Sequence, residues 1–177
     1  LVYSCSMRTI TKPLDRRKFL ALAAVPVVAQ TAGARPLFVC MHEASSAGFD
    51  FRTTMEGYAK AGIRAVEVML TKVREFAEKE SPATARRLLQ DLALRPVSCS
   101  NQVGLAEPNP ARTKNLEELK WKCELAQAIG GDRLVAPSAA RERFTEDDYK
   151  RGADNLREAG EVARPYNVTL MLEFTRM

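Results

Sequence analysis

Thr169-Leu170-Met171-Leu172-Glu173-Phe174 is the stretch on which the fold class turns. It is apolar and β-rich enough for a strand. Its period-two alternation puts Leu170, Leu172 and Phe174 on one face and Thr169, Met171 and Glu173 on the other. Upstream, Ala65–Leu70 repeats the division, with Val66, Val68 and Leu70 against Ala65, Glu67 and Met69. Pro96–Ser100 sets Val97 and Cys99 against Ser98 and Ser100. Each strand thus has a greasy face to lie under helices and a mixed face that holds polar groups. An open doubly wound sheet, covered on both sides, would make both faces apolar. Mixed inner faces suit a (β/α)8 TIM barrel with its polar groups gathered at one end, and they favour that barrel over a flavodoxin-like sheet.

Outward from these strands the chain alternates. Pro36–Met41 reads as a first strand. Asp50 can cap a helix with Met55, Tyr58 and Ala59 on one face, and Gly62 ends it where a left-handed residue is wanted. Ser81-Pro82 opens a second helix with an apolar stripe of Ala85, Leu88, Leu89 and Leu92. A third runs from about Asn115 to Ile129, with Leu116, Leu119, Cys123 and Ala126 facing the core, and stops at Gly130-Gly131. Arg133–Pro137 is the fourth strand. Thr145 and Asp148 form a capping box for a fourth helix that continues to about Ala163, and Asn167–Phe174 is the fifth strand. Five strands alternating with four helices predict a parallel sheet with right-handed crossovers, in a domain spanning residues 35–177. No GxGxxG or Walker sequence is present, so neither a dinucleotide nor a nucleoside triphosphate site is indicated.

The net charge of +5 invites a nucleic-acid reading, but residues 1–34 carry +4 of it and the body only +1. The body therefore lacks the electrostatic footprint that DNA or RNA binding requires. The basic excess belongs to a leader. Asp15-Arg16-Arg17-Lys18-Phe19-Leu20 resembles a twin-arginine export motif, with Asp where Ser or Thr is more usual. An apolar run from Leu20 to Ala29 follows, too short to span a bilayer, and Ala32-Gly33-Ala34 supplies a small-x-small cleavage pattern. The expectation is a signal peptide over 1–34 and a periplasmic or secreted protein without stable membrane anchoring. Met7 is a candidate start, with Leu1–Ser6 then an over-extended frame. Cys5 falls in the leader. Cys40, Cys99 and Cys123 are read as small buried apolar residues, because Cys40 and Cys99 would lie two strands apart, about 9–10 Å, beyond disulfide reach.

A barrel gathers its chemistry at the carboxyl ends of its strands. Arriving there are His42 and Glu43, Met69 to Thr71, Ser100 with Asn101 and Gln102, Ser138, and Glu173. An ionised carboxylate on the inner face of an apolar strand costs several kcal/mol unless compensated, and a divalent metal is one natural compensation, a cross-barrel arginine the other. Glu173 is therefore the candidate catalytic residue and metal ligand. Glu67, lower in the barrel, suits a structural or substrate hydrogen bond. His42 is the only histidine and has no partner four residues on, so the HExxH zinc-protease pattern is excluded. The candidate substrate-binding residues are His42, Glu67, Ser100, Asn101 and Ser138.

Gly62-Ile63-Arg64-Ala65-Val66-Glu67-Val68 resembles the turn into the second strand of the xylose isomerase-like barrel superfamily, and Thr169–Phe174 resembles its fifth-strand "LE" motif. The resemblance covers about 35–177. It implies a sugar or sugar phosphate isomerase or epimerase that binds an open-chain sugar through a divalent cation (Mn, Mg, Co or Zn) and moves a proton between two glutamates through an enediolate. It makes Glu173 the first metal ligand and one of the two acid/base glutamates, and places the remaining ligands on strands six to eight. A complete barrel needs roughly 250 residues, so the expectation is an N-terminal half that is inactive by itself. The other readings are a non-catalytic exported carbohydrate-binding barrel and, less favoured for want of histidines and basic charge, an endonuclease IV-type metal phosphodiesterase. The expected partner is a small sugar or sugar derivative and no nucleic acid. Homo-oligomerisation stays open.

Overall fold

The computed structural model describes residues 38–107, 109–139 and 145–175. The export motif, Cys5 and the first two residues of the expected first strand lie outside the described residues.

Five strands form one parallel sheet: β1 (Cys40–His42), β2 (Ala65–Met69), β3 (Arg95–Ser100), β4 (Arg133–Ala139) and β5 (Thr169–Thr175). Their order in space is their order in sequence. A flavodoxin-like sheet reverses direction at a switch point and gives the order 2-1-3-4-5. The sequential order settles the choice for a (β/α) barrel, of which the described residues form five strands. The first strand is shorter and later than expected, starting at Cys40. Cys40 is consequently exposed rather than buried, whereas Cys99 and Cys123 are buried and all three thiols are free. Burial pushes the thiols of Cys99 and Cys123 up to about 12 and about 11, which leaves them inert packing groups.

The crossovers are α1 (Phe51–Lys60), then α2 (Leu70–Lys79) followed by α3 (Pro82–Asp91), then α4 (Arg112–Ile129) and α5 (Glu146–Ala163). Three of the expected caps form. Asp50 Oδ1 accepts from the Thr53 amide at 2.8 Å, Ser81 Oγ accepts from the Thr84 amide at 3.0 Å, and Thr145 and Asp148 make a reciprocal capping box. Helix α2 was not expected. It starts directly out of β2 with Met69 as N-cap and no side-chain cap bond, so it carries no start signal. The second crossover therefore contains two helices, and the described chain has five α-helices rather than four.

The core lies between the sheet and the helices. Val66, Val68, Cys99, Leu134 and Ala136 point outward into it and meet Met55, Leu89, Leu119, Cys123 and Ala126. At Gly131 the helices approach the sheet so closely that an added Cβ would sit 2.9 Å from Cys99 Sγ and 3.4 Å from the Ala126 carbonyl oxygen. Gly131→Ala should therefore cost about 1–3 kcal/mol, since the fully buried Cys99 has nowhere to move. Gly160→Ala, in the interior of α5 with nothing within 4 Å, should be neutral or stabilising by up to about 1 kcal/mol. Urea denaturation of both variants checks the pair.

Candidate active site at the strand ends

Parallel register carries one residue of each strand to the same face and level as its partner. His42 pairs with Glu67, Glu67 with Ser98, and Met69 with Ser100, so these side chains share the inner face. There His42, Glu67 and Ser98 form one hydrogen-bonded group. His42 Nε2 lies 3.0 Å from Glu67 Oε1, and Ser98 Oγ donates to Glu67 Oε2 at 2.7 Å. The Ala44 amide donates to His42 Nδ1 at 2.9 Å. Nδ1 is thus an acceptor, and Nε2 carries the hydrogen aimed at Glu67. Each Glu67 oxygen accepts one protein hydrogen bond and keeps a second acceptor position. The Glu67 side chain is 20% exposed, so those positions face an accessible space. Ser98 was not among the expected site residues. Its place beside Ser100 on the mixed face of β3 was the available signal.

Glu43 is the other residue missed as a contributor. Although acidic, it is fully buried beside the site. Its Oε2 accepts from the Met69 amide at 2.7 Å, and Lys72 Nζ lies 3.8 Å from Oε1. Burial pushes its carboxyl up to about 7, against the opposing pull of the Met69 amide and the Lys72 ammonium. The Oε1 atom has no hydrogen-bond partner among the described residues.

The remaining candidates are placed as follows. Ser100 is buried, its hydroxyl 3.5 Å from the Val68 carbonyl oxygen. The Asn101 side chain is exposed, while its carbonyl oxygen accepts from Lys122 Nζ at 2.7 Å. Burial lowers the Lys122 ammonium below its ordinary value. Gln102 is buried, with Nε2 donating to the Val103 carbonyl at 3.1 Å and Oε1 without a partner among the described residues. Thr71 belongs to α2 and is exposed. Arg112, Asn115 and Asn155 tie down the loop from β3 to α4 through the carbonyls of Leu105, Gly104 and Ala106.

Ser138 is not brought to the inner face. It pairs with Phe174 and shares the outward face of Leu134 and Ala136. Its hydroxyl donates to Glu107, at the mouth of a cavity of about 240 Å³ between α5 and the outer side of β5. Glu173 does lie on the inner face. It pairs with Pro137, is exposed, and has no hydrogen bond or ion pair to another described residue. By the register Glu67 lies level with Thr169, so Glu173 stands three strand spacings across, about 14 Å, and four residues, about 13 Å, nearer the carboxyl end of the sheet. The inner face therefore presents an oriented His42–Glu67–Ser98 group on one side and an accessible carboxylate on the other.

Among the described residues no three His, Cys, Asp or Glu side chains are grouped to hold a metal ion. The donor chemistry of Glu173 alone fits a hard divalent cation, as one ligand of a larger set. Nor is any described helix long and apolar enough to cross a membrane.

A family model described as xylose isomerase-like TIM barrel matches residues 56–177. Among solved structures the chain is similar to the IolI protein with a bound zinc atom, at 21% identity and TM-score 0.70, covering 78% of this chain and 52% of that one. It is also similar to the probable 3-DHS dehydratase AsbF of Bacillus anthracis, at 13% identity and TM-score 0.66, covering 77% and 52%. A D-psicose 3-epimerase solved in the presence of D-fructose matches at 16% identity and TM-score 0.60, covering 76% and 51%. At these identities the similarity establishes the fold. The chain spans about half the length of these structures. No curated protein matches it.

Proposed function

This chain belongs to the xylose isomerase-like TIM barrel family, and from that premise we propose that the whole protein is an exported isomerase or epimerase of a small sugar or sugar derivative. The observation that carries the reading is the exposed Glu173 carboxylate, without a hydrogen bond or ion pair to another described residue, on the same inner face of the sheet as the oriented His42–Glu67–Ser98 group. The twin-arginine motif at residues 15–20 supports export.

In this proposal Glu173 takes a proton from the carbon beside the sugar carbonyl to give an enediolate. A second acid/base group, outside the residues described here, delivers a proton to the opposite face of that carbon in epimerisation, whereas in isomerisation the proton goes to the former carbonyl carbon while another moves between the two oxygens. Glu67 accepts a hydrogen bond from a sugar hydroxyl. His42 and Ser98, each donating to Glu67, fix that carboxylate in direction. Asn101 offers an exposed amide to a further hydroxyl, and Ser100, behind it, sets the end of β3. Glu173 would also be one ligand of a divalent metal whose other ligands come from outside the described residues. Such an ion supplies electrostatic stabilisation of the oxyanion that develops at the carbonyl.

Isothermal titration of the whole protein with ketoses, with and without EDTA, tests the reading. Metal-dependent binding is expected. Binding indifferent to chelation would support a plain carbohydrate-binding barrel instead.

A further inference from the structure

We propose that Glu43 is a positioning residue for the His42–Glu67 pair: its buried carboxylate clasps the end of β1 to the end of β2, so that the imidazole is held on Glu67. The catalytic value of the clasp rests on the sugar-site reading above, while its geometry stands without it.

His42 and Glu43 are consecutive, yet they grip two different positions of the neighbouring strand. His42 reaches Glu67 with Nε2 at 3.0 Å, and Glu43 reaches the amide of Met69 with Oε2 at 2.7 Å. Glu67 and Met69 are two residues apart on β2 and so lie on one face. Two adjacent residues thus fix both the level and the separation of the strand ends. Met69 is the N-cap of α2 and has no cap of its own. The Glu43 carboxylate satisfies one of the orphan amides there and sits at the positive end of the helix.

The 3-10 turn that follows, Glu43–Ser46, is held from two further elements. From α2, Lys72 Nζ donates to the carbonyls of Ser46 at 2.9 Å and Phe49 at 2.6 Å. From α1, Tyr58 Oη lies 2.9 Å from Ser46 Oγ and 3.3 Å from the His42 carbonyl oxygen. The charged group facing Glu43 is therefore Lys72 on α2; His42 precedes it at the end of β1, and Glu67 on β2 and Tyr58 on α1 reach this region through His42 and Ser46. An apolar residue would fill the space beneath this turn at lower energetic cost than a carboxylate. What an apolar residue lacks is an acceptor for Met69, and that acceptor defines where His42 stands.

Because His42 is the only histidine in the chain, its ring signals need no assignment. The test is the solvent-exchange rate of the His42 Nε2–H proton, read by NMR on the full chain. Glu43→Leu should remain folded, with a melting temperature at or above the parent's, while exchange of the Nε2–H accelerates about fivefold to tenfold, the equivalent of one lost hydrogen bond. Glu43→Gln keeps an acceptor for the Met69 amide and should retain the parent rate. If the leucine variant does not fold, Glu43→Asp, one methylene too short to reach that amide, should show the same acceleration. The parent rate in the leucine or aspartate variant, or equal acceleration in the glutamine variant, would overturn the proposal. Sugar binding is not read in this experiment, so failure of the clasp and failure of the site reading are told apart.

Discussion

Glu173→Gln in the whole protein should lower isomerisation or epimerisation about 1,000-fold while leaving the fold untouched. The size follows from the role: removing a positioned acid/base group costs about 100- to 10,000-fold, and this one is also proposed to help hold the metal. The structural innocence follows from the geometry. Glu173 is exposed, it pairs through its backbone with Pro137, and no hydrogen bond or ion pair to another described residue depends on its side chain. Substitutions at such positions change stability by about 0.5 kcal/mol or less. Loss of turnover with an unchanged urea midpoint would therefore be a chemical effect. A loss smaller than about tenfold would mean that the proton is moved by another group.

The second large effect is on stability, and its sign runs against intuition. Glu43 is buried, and its carboxyl is raised from the ordinary 4.5 to about 7. The folded protein therefore holds a proton on Glu43 that the unfolded chain has released between pH 4.5 and 7. Wherever the native state binds more protons, stability falls as pH rises. The contribution of Glu43 is fully present below about pH 4.5 and is lost as pH rises through 7, a change on the order of 3 kcal/mol. Glu43→Gln imitates the protonated form at every pH. Its advantage over the parent should grow by about 2–3 kcal/mol between pH 5 and pH 8, measured by urea denaturation at each pH. A difference that stays constant with pH would show that Glu43 is ionised throughout, paired with Lys72 more strongly than their 3.8 Å separation implies.

Legibility of the fold in the sequence followed the local signals. Asp50, Ser81 and the Thr145–Asp148 box announced three helix starts, and Gly62 and Gly130 both adopt the left-handed conformation expected of a helix stop. Helix α2 had none of these. It leaves β2 without a loop, and its N-cap is served by Glu43, which lies 26 residues earlier, where no local pattern reaches. The mixed faces of β2 and β3 correctly grouped Glu67 with Ser98 because alternation is a property of the strand itself. The same rule, applied to β4, places Ser138 with Leu134 and Ala136 on the outward side, and selection by position at the strand end passed over it. Glu43 was visible as a strand-end residue, but its burial is a product of tertiary packing under the turn it begins. Glu173 was legible as an inner-face carboxylate, whereas its exposure is a fact of the assembled sheet.

The central claim is that this site exchanges a carbon-bound proton of a sugar. The most direct measurement is to incubate the whole protein with a panel of ketoses in D2O, with Mn2+ and with EDTA, and to locate deuterium in the recovered sugars by NMR. The account predicts deuterium at the carbon beside the carbonyl, appearing with Mn2+, suppressed by EDTA and absent in Glu173→Gln. Binding of the same sugars without any deuterium incorporation would contradict it, and would leave a barrel that holds carbohydrate without performing the chemistry.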